Sequence, residues 1–345
     1  MNKGIKSVAL DLARPDGREL AQQLAAAPGE NGGLFITNYP VSGFLAHERL
    51  AALRKDLISL RVMGWADGRT AVDYTVNAAV GLPGMTGPVD HDRPVNHVLP
   101  AWDLLAGAYG AFTLMAAAHR RRQTGAGGEI RLPLSDLAAA SLSHLGQVAE
   151  VLTTGSDRER GGNALFGSFG RDFVIADGRR IMIVAITGRQ WRGLITVLGL
   201  EAAIADIESR TGADFTAREG DRYLWRDQLF PLVERALAIR SETDLAPAFA
   251  EAGVCWAPYA SLRQAQAEPW FAGANPVFAE VAHPSGHTYP TAGAAASLAG
   301  ETRRTPPAAP QLGAHTDQVL ADVLGLSSGQ IGRLHDQGLV AGATT

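Results

Sequence analysis

The sequence predicts an α/β protein with a parallel sheet near its start, and three observations carry that expectation. Ser7 to Leu12 reads as a short strand, Pro15 to Leu24 as a helix with proline near its start, and Gly33 to Asn38 as an apolar strand stopped by a polar residue and a proline. Strand, helix and buried strand in that order point to parallel pairing. A second helix and strand follow, from His47 to Lys55 and from Leu57 to Val62, closed by a turn over residues 64–68. Abundant alanine and glycine with only 19% charged residues suit closely packed helices around a sheet.

Periodicity disappears from Asn77 to Asn96, where Gly, Pro and Asp dominate, and loops of that length in a compact domain are often functional. Trp102 to Arg122 returns to helical character, with small residues (Ala106, Gly107, Ala108, Gly110, Ala111) that let another element approach. Arg120 to Arg122 is expected as a solvated helix end complementing the helix dipole, with phosphate binding as the alternative. Residues 124–128 end that helix, and a strand from Glu129 to Leu134 leads into Asp136 and an apolar helix through about Leu152. A Gly-rich turn over residues 161–170 precedes a hairpin, Phe173 to Ala185, that reverses at Asp177 and Gly178. The domain boundary is expected there, giving a first domain over 1–160 and a smaller one over 161–290. Helices dominate to Ala252, Val254 to Tyr259 resumes strand character, Thr291 to Pro310 reads as a linker, and His315 to Leu324 and Ser327 to Gln337 form a helical pair.

Composition limits the function classes. A length of 345 residues with 46% hydrophobic content supplies a large core, and a net charge of −4 offers no basic field, so no nucleic-acid partner is expected. No stretch has the apolar length of a membrane span or a signal-peptide core, so no membrane partner is expected. The single cysteine, Cys255, excludes an intrachain disulfide and fits a reducing compartment, with cytoplasm the default.

Taken alone, Asp136 reads as a helix cap or near-cap, because aspartate favours that position. The turn at 161–170 can present backbone N–H groups to an oxyanion, yet it matches neither a phosphate loop nor a nucleophile elbow, and a plain turn is the simpler reading. His283 and His287 have helical metal-ligand spacing, but Pro284 and Gly286 between them argue against a helix, so no metal is expected. The six tryptophans lack interleaved basic residues and read as core.

Three segments change these odds. Residues 2–12 (Asn-Lys-Gly-Ile-Lys-Ser-Val-Ala-Leu-Asp-Leu), 122–136 (Arg-Gln-Thr-Gly-Ala-Gly-Gly-Glu-Ile-Arg-Leu-Pro-Leu-Ser-Asp) and 309–317 (Ala-Pro-Gln-Leu-Gly-Ala-His-Thr-Asp) resemble, in order, motifs of the class III coenzyme A transferases of CaiB/BaiF type. The resemblance implies a Rossmann-like large domain with a parallel sheet, a smaller α+β middle domain, a return to the large domain over 291–345, and an interlocked homodimer. It implies that Asp136 is a nucleophile acting on an acyl-CoA, with CoA part of the substrate and no tightly bound cofactor. An aspartate is ionised at neutral pH and needs no general base, which fits the lack of a Ser-His-Asp set. CoA contacts are implied at Lys3, Asn38, Tyr39 and Tyr74, and Gly167 and Arg171 are expected to bind the acyl part, with a salt bridge as the rival role of Arg171.

Residues 27–40, 72–77, 84–88 and 96–103 most resemble the family branch that shifts CoA between the C1 and C4 carboxyl groups of mesaconate. Ile5, Gly128 and Arg131 depart from the residues common in the family at those positions. The chain also opens at a segment that family members reach after an earlier strand-helix-strand unit contributing to the CoA site. The competing expectations are therefore an intermolecular CoA transferase, a racemase using His97 or His144 as a base, and a non-catalytic CoA-binding or dimerising remnant.

Overall fold

The computed structural model describes residues 2–343. In chain order the elements begin β1 (Ala9–Leu10), α1 (Pro15–Ala25), β2 (Leu34–Thr37), α2 (His47–Leu53), β3 (Ile58–Met63), α3 (Asp73–Ala79), α4 (Leu82–Met85) and α5 (Ala101–Thr124). They continue with β4 (Gly128–Pro133), α6 (Leu134–His144), α7 (Gln147–Thr154), β5 (Phe169–Val174), β6 (Arg180–Ala185), α8 (Gly188–Leu198), α9 (Glu201–Thr211), α10 (Glu219–Leu224), α11 (Arg226–Leu237) and α12 (Glu242–Ala252). The chain closes with β7 (Cys255–Pro258), α13 (Leu262–Ala267), β8 (Phe278–Ala282), β9 (Thr288–Ala292), α14 (Thr316–Leu324), α15 (Ser328–Asp336) and β10 (Val340–Ala341). Two compact units result, one from Met1–Val80, Val98–Thr153 and Gln266–Thr345, the other from Gly81–His97 and Thr154–Ala265.

The first unit carries the expected parallel sheet, in the order β2-β3-β4. Leu34 lies opposite Ile58, and Ile58 to Met63 run in register beside Gly128 to Pro133. The middle strand is the most buried, with Ile58, Ser59, Leu60 and Arg61 all shielded from solvent. Gly110 of α5 lies against Leu60 and Leu132, so the small residues of that helix do admit a close approach to the sheet.

The first strand does not join this sheet, contrary to the strand-helix-strand reading of residues 7–38. β1 pairs antiparallel with β10, Ala9 opposite Ala341. Hydrogen bonds to the C-terminal segment decide the matter: Ser7 N donates to His315 Nδ1 (3.1 Å), Ala9 N to the buried Thr316 Oγ1 (3.0 Å), and Asp11 N to Leu339 O (2.8 Å). Leu20 then packs with Leu320, Ile331 and Leu339, so the first helix is bound to the last two.

Other expectations shift by smaller amounts. The helix after Asp136 breaks into α6 and α7 at Gly146, whose φ of 78° is left-handed backbone that most residues avoid. The aperiodic 77–96 stretch contains the end of α3 and the short α4. Arg121 is not a solvated end: it is buried and donates to the carbonyls of Glu30 (2.8 Å) and Gly32 (3.0 Å). His283 and His287 flank the turn of the β8–β9 hairpin, with the His283 ring stacked on Tyr289 and hydrogen-bonded to Thr291. Trp191 and Trp102 are core as expected, whereas Trp270 is exposed.

The second unit folds around an antiparallel sheet, β5-β6-β7. The strand β5 starts at Phe169, so the last two residues of the Gly-rich segment are sheet, not turn. Phe169, Phe173, Trp191 and Phe230 form its aromatic centre, surrounded by Leu194, Leu229, Leu237 and Phe249. A capping box between Thr187 and Gln190 starts α8 on that core.

Candidate active site

Parallel strands share one carboxyl end, and ligands of open α/β sheets are bound beyond it. Asn38 and Tyr39 directly follow β2, Gly64 follows β3, and Asp136 comes three residues after Pro133, the last residue of β4. Adjacent strands are spaced about 4.8 Å, so the ends of β2 and β4 stand about 10 Å apart across this edge. The sequence-predicted nucleophile and two of the predicted CoA contacts are thus brought to one edge of one sheet.

Asp136 is the third residue of α6, not its cap; Pro133 holds that position and offers no side-chain acceptor. Its exposed carboxylate accepts from Ser135 Oγ (3.1 Å), while Ser135 N donates to Gly64 O (3.1 Å) and so ties the start of α6 to the end of β3. The N-terminal end of a helix carries partial positive charge, which stabilises both a carboxylate and negative charge developing beside it. Leu134, Leu137 and Ala138 are buried beneath this turn. The carboxylate therefore stands on a fixed base and faces solvent, as a nucleophile that must meet a substrate requires.

Tyr39 is half-exposed, its ring edge-on to Phe44 at 6.0 Å and its backbone N–H donating to Thr37 Oγ1. Its carbonyl accepts from Arg61 Nη1 at 2.5 Å, one of several bonds that guanidinium makes to the loop. Tyr74, on α3, is also half-exposed, and its hydroxyl donates to Val98 O (3.0 Å). Beside it Asp73 is 2% exposed, and its Oδ2 accepts from the backbone N–H groups of Trp102 (2.6 Å) and Asp103 (3.1 Å), capping α5 from another helix. Neither Asp73 Oδ1 nor Trp102 Nε1 has a hydrogen-bond partner, so this buried corner holds an acceptor and a donor in reserve. Burial, and then the Asp73 charge, push the Asp103 carboxyl above its usual range.

Lys3 lies elsewhere in the first unit. Its Nζ donates to Ala292 O (2.5 Å), and it lines a cavity of about 710 Å³ with Phe278, Leu298, Arg303 and Arg304, a lining that includes none of Asn38, Tyr39, Tyr74 or Asp136. Gly167 and Arg171 belong to the second unit. Gly167 has a φ of 80°, the left-handed backbone a tight turn uses, and Arg171 pairs with Glu234 (3.3 Å) while lying over Phe173 and Phe230. The rival salt-bridge role of Arg171 is thus realised, though with Glu234, while Asp172 pairs with Arg180. His144 closes α6, eight residues or about 12 Å along the helix from Asp136, too far to share a proton with its carboxylate. Sequence reasoning passed over Arg61, Asp73 and Glu129. The visible signal was an arginine inside the apolar strand Leu57 to Val62, since a charge there must find buried partners.

A parallel sheet with a carboxylate on the first helical turn beyond its carboxyl edge is the frame on which the comparisons with known proteins fall. The chain belongs to CoA-transferase family III, whose model matches residues 1–316. It is 44% identical over 343 residues to a 2-methylfumaryl-CoA isomerase of Chloroflexus aurantiacus, covering 99% of this chain and 84% of that one. A human succinyl-CoA:glutarate CoA-transferase is 26% identical across 99% of this chain and 76% of its own. Among solved structures, a CaiB/BaiF family protein from Brucella suis superposes with a TM-score of 0.70 at 24% identity, over 93% of this chain and 82% of that one, a likeness of fold.

Proposed function

We propose that this enzyme interconverts the C1 and C4 CoA thioesters of 2-methylfumarate (mesaconate) by intramolecular CoA transfer, with Asp136 as nucleophile. The observation that carries the reading is the exposed Asp136 carboxylate at the start of α6, in a chain 44% identical to an enzyme of that name. An Asp136 oxygen attacks the thioester carbonyl carbon; its C–S bond breaks and CoA leaves as thiolate, giving a mixed anhydride. The thiolate then attacks the Asp136 carbonyl carbon, forming an aspartyl thioester and freeing the dicarboxylate. After the acid turns end for end, its other carboxylate repeats the exchange, thiolate returns to the substrate carbonyl, and Asp136 regains its charge. No proton is gained or lost, and the covalent intermediate divides one difficult exchange into easier ones. The site's task is to hold the reacting groups in line and keep water from the anhydride.

In this reading Asn38, Tyr39 and Tyr74 contact CoA near the sheet edge, with Lys3 as a further contact, and Gly167 and Arg171 face the acyl part. A carboxylate nucleophile needs no resident metal or cofactor. A homodimer accords with apolar side chains left exposed on α5 (Leu104, Phe112, Met115) and along 145–152 (Leu145, Val148, Leu152). No described helix is long and apolar enough to cross a membrane, and Cys255 is a free, exposed thiol, which accords with a reducing cytoplasm.

The test is incubation with mesaconyl-C1-CoA alone. Appearance of the C4 isomer without any added acid, and none with Asp136→Asn, is expected. A requirement for added succinate or glutarate would replace this reading with intermolecular transfer, and no CoA migration in mesaconyl-C1-CoA together with loss of α-hydrogen label from a saturated 2-methylacyl-CoA would replace it with racemase chemistry. Sedimentation at micromolar concentration checks the dimer.

A further inference from the structure

We propose that Arg61 is a positioning residue that pre-forms the CoA-binding loop after β2; this rests on the reading of Asn38 and Tyr39 as CoA contacts. The Arg61 side chain is fully buried in the middle strand of the parallel sheet. Its Nη1 donates to Tyr39 O (2.5 Å) and Pro40 O (2.7 Å), its Nη2 to Leu45 O (3.0 Å), and its Nε to Glu129 Oε1 on the neighbouring strand (3.3 Å). One planar guanidinium therefore holds both the exit of β2 and Leu45, two residues before the start of α2, closing residues 39–45 into a fixed turn. Glu129 in turn pairs with Arg131 (2.7 Å), so the carboxylate that balances Arg61 is itself held.

The chemistry is specific to arginine. Its fork presents donors in fixed directions that several carbonyls can use at once, whereas lysine offers a compact point charge. A buried charge is costly unless paired and hydrogen-bonded, and an apolar side chain at this strand position would fill the space without that cost. What the arginine adds is the shape of a loop whose Asn38 and Tyr39 side chains remain exposed while the carbonyls of Tyr39 and Pro40 are anchored. Gln22 Nε2 donates to Phe44 O (2.6 Å) farther along the loop, but Arg61 holds its first two carbonyls, those of Tyr39 and Pro40, so without Arg61 this end of the loop would have to order itself on each binding event.

The experiment measures CoA binding by calorimetry, and steady-state kinetics with the acyl-CoA, for the parent, Arg61→Met, Arg61→Lys, the pair Asn38→Ala with Tyr39→Ala, and the triple variant with Arg61→Met. Arg61→Met is expected to raise the CoA dissociation constant and the KM about tenfold while kcat stays within about threefold, the pattern of lost uniform binding. Its effect should nearly vanish in the triple variant, because a loop without its contact side chains has nothing left to present. Equal multiplication in the triple variant, or parent-like binding by a folded Arg61→Met protein, would overturn the proposal. Parent-like binding by the Asn38 and Tyr39 pair would instead sink the reading of the loop as a CoA contact. Should Arg61→Met fail to fold, Arg61→Lys serves in its place. Amide hydrogen exchange of the ligand-free parent gives an independent check: protection of the Tyr39 and Ala46 N–H groups, which donate to Thr37 Oγ1 and Gly43 O, is expected, and protection that appears only when CoA is added would count against a pre-formed loop.

Discussion

The sheet β2-β3-β4 and the sheet β5-β6-β7 have three strands each and are held by different means. The antiparallel one rests on aromatic rings, Phe169 against Trp191 at 5.1 Å and against Phe230 at 5.4 Å. The parallel one is bracketed by guanidinium groups: Arg121 and Arg54 hold carbonyls before β2 and the Asp56 carboxylate before β3, and Arg61 holds the carbonyls beyond the exit of β2. Apolar packing is non-directional and fixes a core while leaving the connecting loops to find their own shape. Hydrogen bonds to carbonyls are directional and fix the loops themselves. The contrast is one of degree, since buried Arg222 of the second unit donates to Ile186 O. Even so, the Arg61 bonds lie where the proposed CoA contacts do.

The largest effect expected anywhere in the molecule is at Asp136. Replacement by asparagine preserves the shape of the α6 start but removes the nucleophile, and turnover should fall by about 10⁴-fold or more with the melting temperature close to the parent's. Trapping with hydroxylamine should label the parent peptide holding Asp136 and leave the variant unlabelled. The aromatic sheet should answer in the opposite way. Phe169→Ala opens a cavity at a fully buried ring and should cost about 3–5 kcal/mol in chemical denaturation. The fraction still folded should bind CoA with the parent's affinity.

Asp73→Ala stands between these cases. It removes the acceptor that caps α5 and should cost about 1–2 kcal/mol, read as a lowered denaturation midpoint. Because α3 carries Tyr74, CoA affinity should weaken as well. A pure stability loss with unchanged affinity would separate α3 from CoA binding.

Strands of both sheets could be read from sequence by local signals. The hairpin β5–β6 was legible because alternating apolar residues flank an Asp-Gly turn, a local signal. The parallel strands β2 and β3 were legible for the same reason, as short apolar runs bounded by turn residues. The pairing of β1 was not, because Ala9 finds Ala341 more than three hundred positions away with the help of bonds from Ala9 and Ser7 to Thr316 and His315 that no periodicity encodes. Asp136 could be placed near a helix start from local pattern, but that pattern gave it no role beyond a cap; the family motif supplied the nucleophile. Arg61 and Asp73 show the limit on the other side. Each is a charged residue whose partners are backbone groups of other segments, and a sequence records the charge without recording where the carbonyls and N–H groups are.

The smallest effect sharpens the comparison most, since it uses one kind of substitution in both sheets. Burial alone would raise the Glu129 carboxyl, but hydrogen bonds from Arg131 and Arg61 outweigh it and hold the group below its ordinary value near 4.5. Burial would likewise raise Asp172 of β5, but hydrogen bonds from Arg180 and Asn163 outweigh it and hold the group below its ordinary value near 3.8. A carboxyl depressed by folding adds stability that is fully present above its unfolded value and is lost as pH falls through the lower folded value. Glu129→Gln and Asp172→Asn should therefore each lower stability at neutral pH, and each difference from the parent should shrink as the medium is acidified through and below those ordinary values. Affinity separates them. Glu129 orients the guanidinium that shapes the 39–45 loop, so Glu129→Gln should weaken CoA binding at neutral pH, whereas Asp172→Asn should alter the denaturation curve alone. If both variants lose affinity equally, the guanidinium bracket has no special connection to the site, and the difference between the two sheets is one of construction only.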